Sequence, residues 1–295
     1  MEASDFKGII PPMMTAFTKE GEIYEEGTRR IVDFIVPHVQ GLFPCGTYGS
    51  GPMMSIAERK RTAEIIVDQT KGRVPVIVHV GTADTKNTVE LARHAASIGA
   101  RAVAAITPYY NSYSEDDIFI HFQQLINAVD IPVFLYNNPK ASGNSVSPKL
   151  LVRLAKEGLG GVKDSSFDIV NYYHSKIALK EFPKFNLIVG TEAILVAAFD
   201  AGAKGAVTGL GNVYPDLIRE LYEAYLEGDR EKLMQIQEEV LVVRQITKYG
   251  PTVPTCHAIL KLRGIDAGYP RLPFTPVPPE TEKRVKDALQ GLGLL

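Results

Sequence analysis

The stretch Gly161-Val162-Lys163-Asp164-Ser165-Ser166 (GVKDSS, residues 161–166) has the apolar, glycine-flanked character of a buried strand that ends in polar residues. Strand side chains alternate between two faces, so if Val162 faces a helix layer, Lys163 faces the interior. Most lysines elsewhere stand in charged helical patterns, which are typical of solvated faces. Lys163 is therefore either a structural lysine whose head pairs with an acid such as Asp164, or a nucleophile whose amine is freed by burial.

The same strand-then-helix pattern recurs along the chain and predicts the fold. The β-rich runs start about 20–35 residues apart, and an amphipathic helical pattern follows them, as in βα units. About eight such units predict an α/β fold, a (β/α)8 TIM barrel. An open doubly wound sheet is the alternative, but no G-x-G-x-x-G follows the first run. The runs are Gly8–Phe17, Gly41–Gly49, Val74–Gly81, Ala102–Tyr110, Ile131–Pro139, Gly161–Ser166, Asn186–Glu192 and Gly205–Asn212.

The last part of the chain continues in helical patterns after the eighth run. We expect residues 1–225 to form the barrel and residues 226–295 to form a C-terminal helical extension in one structural unit with it. Helical patterns cover Gly228–Gly250, Thr255–Arg263 and, after a proline-rich segment, Thr281–Leu289.

Composition narrows the class of protein. The chain has 295 residues, 45% of them hydrophobic, and a formal net charge of -2, so a large core is expected and nucleic acid is not an expected partner. No apolar stretch is long enough for a membrane span and no secretory signal pattern opens the sequence, which favours a cytoplasmic protein. Cys45 and Cys256 are far apart and lack metal-ligand spacing.

Chemistry in such a barrel occurs at the carboxyl ends of the strands. The second run ends in a glycine-rich turn, Cys45–Gly51, which suits a carboxylate or phosphate but is also an ordinary tight turn. Tyrosines end the fourth and fifth runs, in Thr107–Asn111 and Tyr136–Pro139, where they serve either the core or proton transfer. The six histidines do not cluster, and His79 is expected to be a satisfied core residue. We expect no metal site.

These motifs, G-T-x-G, T-P-Y-Y-N, Y-N-x-P and G-V-K-D in this order, resemble the pyruvate-dependent class I aldolase family. Its members include dihydrodipicolinate synthase, N-acetylneuraminate lyase and 2-keto-3-deoxygluconate aldolase. The resemblance runs from Gly8 to about Pro276. It implies a lyase without a cofactor that acts on pyruvate and an aldehyde, or on a 2-keto-3-deoxy acid, as a homotetramer.

The resemblance also implies roles for individual residues. Lys163 is implied as the Schiff-base lysine and Tyr136 as the proton shuttle. Thr47, with the N–H groups of Thr47 and Tyr48, is implied to hold the pyruvate carboxylate. Tyr110 matches the family position that reaches into the neighbouring subunit's site. The substrate-binding set implied by the resemblance is Thr47, Tyr48, Gly190, Glu192 and Thr208.

Departures from the family patterns bear on the substrate. Ala141 stands where dihydrodipicolinate synthases carry the arginine that holds the second substrate's carboxylate. Residues 190–194 keep one of two acids typical of sialic acid lyases, whereas residues 49–55 and 268–271 resemble 2-keto-3-deoxy-sugar-acid aldolases. We therefore expect aldol cleavage of a 2-keto-3-deoxygluconate-type acid. The alternatives are dihydrodipicolinate synthase (4-hydroxy-tetrahydrodipicolinate synthase), an N-acetylneuraminate lyase, a keto-acid dehydratase, or a non-catalytic keto-acid-binding barrel.

Overall fold

The computed structural model, which describes residues 1–295, contains one parallel β-sheet surrounded by helices. The strand order, β1-β7-β6-β5-β4-β3-β2, follows the chain around a curled sheet, without the reversal of a doubly wound fold. The predicted α/β class is confirmed and the arrangement is TIM-barrel-like. The strands are β1 (Gly8–Ile9), β2 (Ile77–His79), β3 (Ala102–Ile106), β4 (Val133–Asn137), β5 (Gly161–Asp164), β6 (Asn186–Val189) and β7 (Gly205–Ala206).

The second predicted run does not form a regular strand, but residues 40–44 bond to both neighbouring strands. The Gln40 N–H donates to the Ile9 carbonyl of β1 (2.9 Å), and the Ile77 N–H of β2 donates to the Leu42 carbonyl (2.8 Å). The segment thus lies between β1 and β2. All seven strands are also shorter than predicted. The first is cut from Gly8–Phe17 to Gly8–Ile9, since Pro11 and Pro12 follow it and have no N–H to donate to a ladder.

Alternation along the strands creates two separate apolar layers. An inner cluster of 12 buried residues, including Phe43 and Tyr136, fills the space enclosed by the sheet. An outer cluster of 64 buried residues, including Leu135 and Val162, lies between sheet and helices. Val162 belongs to the outer cluster, so by strand alternation Lys163 points inward.

Helices cover the outside of the sheet and start where the sequence signals indicate. The Ser55 side chain accepts from the Glu58 N–H, and Glu58 accepts from the Ser55 N–H, so α2 begins with a capping box. Ser147 likewise accepts from the Leu150 N–H.

No helix has the length and apolarity needed to span a membrane. The helices are α1 (Glu25–Ile35), α2 (Ile56–Thr70), α3 (Thr85–Ser97), α4 (Glu115–Ile126), α5 (Pro139–Ser142), α6 (Pro148–Lys156), α7 (Ile169–Ala178), α8 (Leu195–Asp200), α9 (Pro215–Glu227), α10 (Arg230–Ile246), α11 (Thr252–Leu262) and α12 (Pro279–Gly291).

The three predicted C-terminal helices are α10, α11 and α12. Buried residues of these helices, such as Val240, Val243 and Leu289, belong to the same outer cluster as the residues between the sheet and the preceding helices. The C-terminal helices therefore share one continuous core with the rest of the chain, and α10 is close enough to contribute side chains to the site described below.

Gly161 permits the close approach of β5 to its neighbours. A Cβ at this position would lie 2.5 Å from the Asn186 carbonyl oxygen of β6 and 2.5 Å from the Phe134 ring. Gly161→Ala must displace one of them, so we expect the free energy of unfolding to fall by about 1–3 kcal/mol in urea denaturation. Gly291→Ala is the matched control, because a Cβ there meets no atom within 4 Å. Equal unfolding midpoints for the two variants would contradict this packing.

Candidate active site

Two neighbouring strands place a lysine and a tyrosine side by side inside the barrel. Tyr136 of β4 and Lys163 of β5 are direct partners in the parallel register. Lys163 Nζ lies 3.4 Å from the centroid of the Tyr136 ring and 5.0 Å from that of the Phe43 ring. The lysine is buried, with 4% of its surface exposed, so its amine is surrounded by aromatic faces rather than water.

No carboxylate neutralises this amine at contact distance: Lys163 forms no salt bridge within 4.0 Å. Asp164 points to the other face of β5, where it accepts from the Asn137 side-chain amide (3.2 Å) and from the Ser166 N–H (2.7 Å). The pairing of Lys163 with Asp164, which the sequence left open, is therefore absent. Burial lowers the pKa of the Lys163 amine, although the nearby Tyr136 opposes this effect.

The Tyr136 hydroxyl connects the amine to the glycine-rich turn. It accepts a hydrogen bond from the Asn138 side-chain amide (2.9 Å) and lies 3.4 Å from Thr47 Oγ1. Burial by itself would raise the pKa of this phenol, but the positive charge of Lys163 and these hydrogen bonds outweigh burial and lower it. A phenol so placed can exchange protons with a group bound at Lys163.

The turn at residues 45–51 offers unoccupied backbone donors. Cys45 has a φ of 61°, and a Cβ at Gly51 would lie only 1.8 Å from the Cys45 carbonyl oxygen, so glycine is required there. The N–H groups of Thr47 and Tyr48 donate to no atom of the chain. With the Thr47 hydroxyl beside them, they suit the oxygens of a carboxylate.

Tyr48 occupies space at the mouth of the barrel. A Cβ on Gly209, just after β7, would lie 2.1 Å from the Tyr48 hydroxyl oxygen, so the phenol rests against that glycine. Burial raises the pKa of Tyr48 well above its usual range, and the charge of Glu192 adds to this. Tyr48 thus narrows the mouth on the β7 side and retains its proton.

Glu192 is buried and already engaged. One carboxylate oxygen accepts from Arg244 Nε of α10 (2.8 Å), and the other accepts from the Gly209 N–H (3.0 Å). Both oxygens are therefore used within the chain. Through these two bonds, Glu192, which follows β6, links α10 to the turn after β7.

The two remaining residues of the predicted binding set differ in what they offer. The Thr208 hydroxyl is buried and has no hydrogen-bond partner. A Cβ at Gly190 would lie 1.9 Å from the Ser165 hydroxyl oxygen, so this glycine allows the turns after β5 and β6 to pack closely. The Thr208 hydroxyl is therefore free to bind a ligand, whereas Gly190 serves to keep the turns after β5 and β6 close together.

Tyr110 is not brought to the other site residues within one chain. It is 95% exposed, and its φ of 82° is unusual for a bulky residue. An extended aromatic side chain held in this conformation projects away from the molecule.

His79 lies next to the site as a structural residue. Its Nδ1 bonds to the Cys45 carbonyl oxygen (3.1 Å), and its Nε2 accepts from the Ile106 N–H (3.2 Å). Burial and the nearby Arg59 lower its pKa well below the usual range. The prediction of a satisfied core histidine is confirmed.

Sequence reasoning gave no role to two residues that contact the site. Asn138 stands inside a quoted motif, but nothing local showed that its amide reaches the Tyr136 hydroxyl. Arg244 is 52 residues from Glu192 and lies in an ordinary amphipathic helix. Only the packing of α10 over the barrel brings it to the mouth.

A buried amine, an adjacent phenol and a set of free donors together suit one kind of reaction. The amine can add to a carbonyl carbon, the phenol can transfer the protons that this addition requires, and the turn can hold a carboxylate attached to that carbonyl. The geometry is therefore suited to covalent chemistry on a 2-keto acid.

Comparisons with known proteins agree with this chemistry. The model of the dihydrodipicolinate synthetase family matches residues 5–292. A DapA-like lyase from Halobacterium salinarum is 38% identical over 98% of this chain and 94% of its own, and a 4-hydroxy-tetrahydrodipicolinate synthase from Methanopyrus kandleri is 34% identical over 98% and 97%. A prophage protein of the dihydrodipicolinic acid synthase family from E. coli K12, solved in complex with pyruvate, is 29% identical with a TM-score of 0.94, over 98% of this chain and 99% of that one.

The pKa of Lys163 can be tested directly. We expect the titration midpoint of Lys163 to lie below the ordinary lysine value of 10.5. The midpoint can be measured by mass spectrometry, from the pH dependence of acetylation at Lys163. In Tyr136→Phe the midpoint should fall further, because the phenol that favours the charged amine is gone. Tyr109→Phe serves as the control and should leave it unchanged. An unchanged or higher midpoint in Tyr136→Phe would contradict the coupling.

Proposed function

Because the chain belongs to the dihydrodipicolinate synthetase family, whose members are Schiff-base lyases, we propose that it forms an imine between Lys163 and pyruvate or another 2-keto acid and uses that imine to make or break a carbon–carbon bond. The observation that carries the proposal is the buried Lys163 amine, which has no carboxylate partner and lies 3.4 Å from the Tyr136 ring centroid. Burial lowers the pKa of this amine, which favours the unprotonated form that acts as a nucleophile.

The reaction proceeds from this amine. Lys163 Nζ adds to the C2 carbonyl carbon of the keto acid, and the resulting carbinolamine loses water to give an iminium ion. Loss of a C3 proton gives an enamine, whose C3 attacks the carbonyl carbon of an aldehyde while the aldehyde oxygen gains a proton. Hydrolysis returns the free amine. Cleavage follows the same steps in reverse.

The neighbouring residues divide the remaining tasks. Tyr136 supplies and removes the protons for dehydration and for the aldehyde oxygen. Thr47 and the N–H groups of Thr47 and Tyr48 bind the keto-acid carboxylate, and the unpartnered Thr208 hydroxyl adds a further donor. Tyr110 enters the site of a neighbouring copy in a homotetramer, in keeping with its 95% exposure.

Two of the predicted binding residues act through their neighbours. Glu192 holds Arg244 at the mouth through the 2.8 Å ion pair, and Gly190 keeps the turns after β5 and β6 close together. Neither has to touch the substrate to shape its site.

Two acceptor reactions compete. The name of the Methanopyrus kandleri relative supports condensation of pyruvate with aspartate semialdehyde, and the comparisons support this at least as well as the 2-keto-3-deoxygluconate-type cleavage expected from the motifs. The observation that favours cleavage is Ala141 on α5, which stands where dihydrodipicolinate synthases carry the arginine for the semialdehyde carboxylate.

The imine itself is tested by trapping. After incubation with pyruvate and borohydride, mass spectrometry should show one reduced adduct on the peptide that contains Lys163. Lys163→Ala should lose it, whereas Lys156→Ala, which removes an exposed lysine at the end of α6, should retain it. An unmodified wild-type protein, or an adduct that persists in Lys163→Ala, would refute the mechanism.

The acceptor is tested by comparing two assays on the same preparation. Condensation of pyruvate with aspartate semialdehyde and cleavage of 2-keto-3-deoxygluconate should differ by orders of magnitude in kcat/KM. If the enzyme is an aldolase, Ala141→Arg should raise kcat/KM for aspartate semialdehyde by about tenfold through a charge-assisted bond, and Ala141→Gln should not. Efficient condensation of pyruvate with aspartate semialdehyde by the wild-type protein would show instead that it is the synthase.

A further inference from the structure

The loop between β3 and α4, residues 108–113, depends on one side chain outside it. The Asn144 amide Nδ2 donates to the Pro108 and Asn111 carbonyls, both at 2.9 Å, and its Oδ1 accepts from the Tyr113 N–H at 2.9 Å. These are all the hydrogen bonds of residues 108–113, whose backbone bonds to no other backbone group. Asn144 is buried, with 5% of its surface exposed. It is therefore the only hydrogen-bonded anchor of the loop.

The bonds to Asn144 enclose Tyr110 on both sides. Pro108 lies before Tyr110 in the chain, and Asn111 follows it directly. Between these two contacts Tyr110 has a φ of 82°, in the left-handed region that a bulky residue rarely adopts, and its side chain points outward. An unfavourable backbone conformation persists only where surrounding contacts fix it, and here Asn144 supplies those contacts.

Asn144 is in turn fixed to the carboxyl ends of two strands. Ser142 Oγ accepts from the Asn144 N–H at 3.2 Å and from the hydroxyl of Thr107, directly after β3, at 2.9 Å. Ser142 Oγ also lies 3.2 Å from the carbonyl oxygen of Asn138, directly after β4. The anchor of the loop is thus attached to the sheet, which makes it a precise support for Tyr110.

The Asn144 side chain has no bond to the site of its own chain. Its hydrogen bonds go to residues 108–113 and to the Ser142 carbonyl, at 3.2 Å, and none goes to Lys163 or Tyr136. Any effect of this side chain on catalysis therefore passes through the loop. The loop carries Tyr110, whose ring projects away from its own chain.

We propose that Asn144 is a positioning residue for the site of a neighbouring copy: it holds residues 108–113 in the conformation in which Tyr110 enters that site. The inference rests on the proposed function, which supplies the imine chemistry and the place of Tyr110. Asn144 contacts no substrate and takes no part in the covalent steps. It restricts the loop to the geometry in which the Tyr110 phenol reaches its target.

The test needs pyruvate alone, because enamine formation and its reversal exchange the C3 protons of pyruvate with solvent. In deuterium oxide, NMR measures the rate at which deuterium replaces these protons. Asn144→Ala removes all three bonds to the loop, and Asn144→Asp keeps only the acceptor for the Tyr113 N–H. Each should lower the rate by about tenfold or more, because the Tyr110 phenol is displaced.

Two further variants calibrate this loss. Tyr110→Phe, which removes the hydroxyl itself, should lower the exchange rate by about tenfold or more. Asn127→Ala is the control, because Asn127 is an exposed asparagine at the end of α4, and it should leave the rate unchanged.

Mixed oligomers show whether the effect crosses between chains. Lys163→Ala chains lack the amine but keep an anchored loop, whereas Asn144→Ala chains keep the amine but lose the anchor. When both are coexpressed in equal amounts and assort at random, the exchange rate should recover to about a quarter of the wild-type value, since each copy completes its neighbour's site. This recovery also shows that Asn144→Ala chains are folded. Lys163→Ala coexpressed with Tyr110→Phe should recover equally.

Three results would overturn the inference. A wild-type rate in both Asn144 variants would show that the loop needs no anchor. Recovery with Tyr110→Phe but not with Asn144→Ala would show that Asn144 acts within its own chain. No recovery with either would show that Tyr110 does not act across chains. Failure of the wild-type protein to form a borohydride-trapped adduct on Lys163 would instead refute the imine chemistry, so failure of the inference and failure of the proposed function are distinguishable.

Discussion

Burial of the Lys163 amine without a counter-charge is the constraint around which the rest of the site is arranged. Removing an ammonium ion from water costs several kcal/mol unless it is paired. Here the nearest acid along the strand, Asp164, faces away and bonds to Asn137 and Ser166. Burial accordingly lowers the pKa of the amine, and the aromatic faces of Tyr136 and Phe43 stabilise its charged form. The lowered pKa favours a reactive amine over a structural one.

The fold supplies this arrangement through strand register and tight turns. Parallel pairing sets Tyr136 beside Lys163, and Gly161 allows β5 to approach β6 closely enough for the lysine to sit in the interior layer. The turn at residues 45–51 requires Gly51 and leaves two N–H groups unpaired. Rigid strands thus place the reacting amine, and a strained turn places the binding groups.

The sequence was sufficient for features that depend on local pattern. Alternation predicted that Val162 and Lys163 face opposite layers, and a capping box at Ser55 marked the start of α2. Strand lengths were overestimated because the apolar and β-branched residues that flank each strand have the same composition as the strand itself, and only the hydrogen-bond pattern separates them.

Features that depend on distant packing were beyond the sequence. Arg244 reaches the mouth only because α10 packs across the ends of β6 and β7, and Tyr48 narrows the mouth only because Gly209 leaves room for its ring. Nor did the sequence show that Glu192 has both oxygens engaged within the chain.

The most direct test of the central claim is a crystal structure of the protein grown with pyruvate. The account predicts continuous electron density from Lys163 Nζ to C2 of the ligand, with the ligand carboxylate on the N–H groups of Thr47 and Tyr48. Pyruvate bound without a covalent link, or an empty barrel with Lys163 paired to an acid, would contradict it.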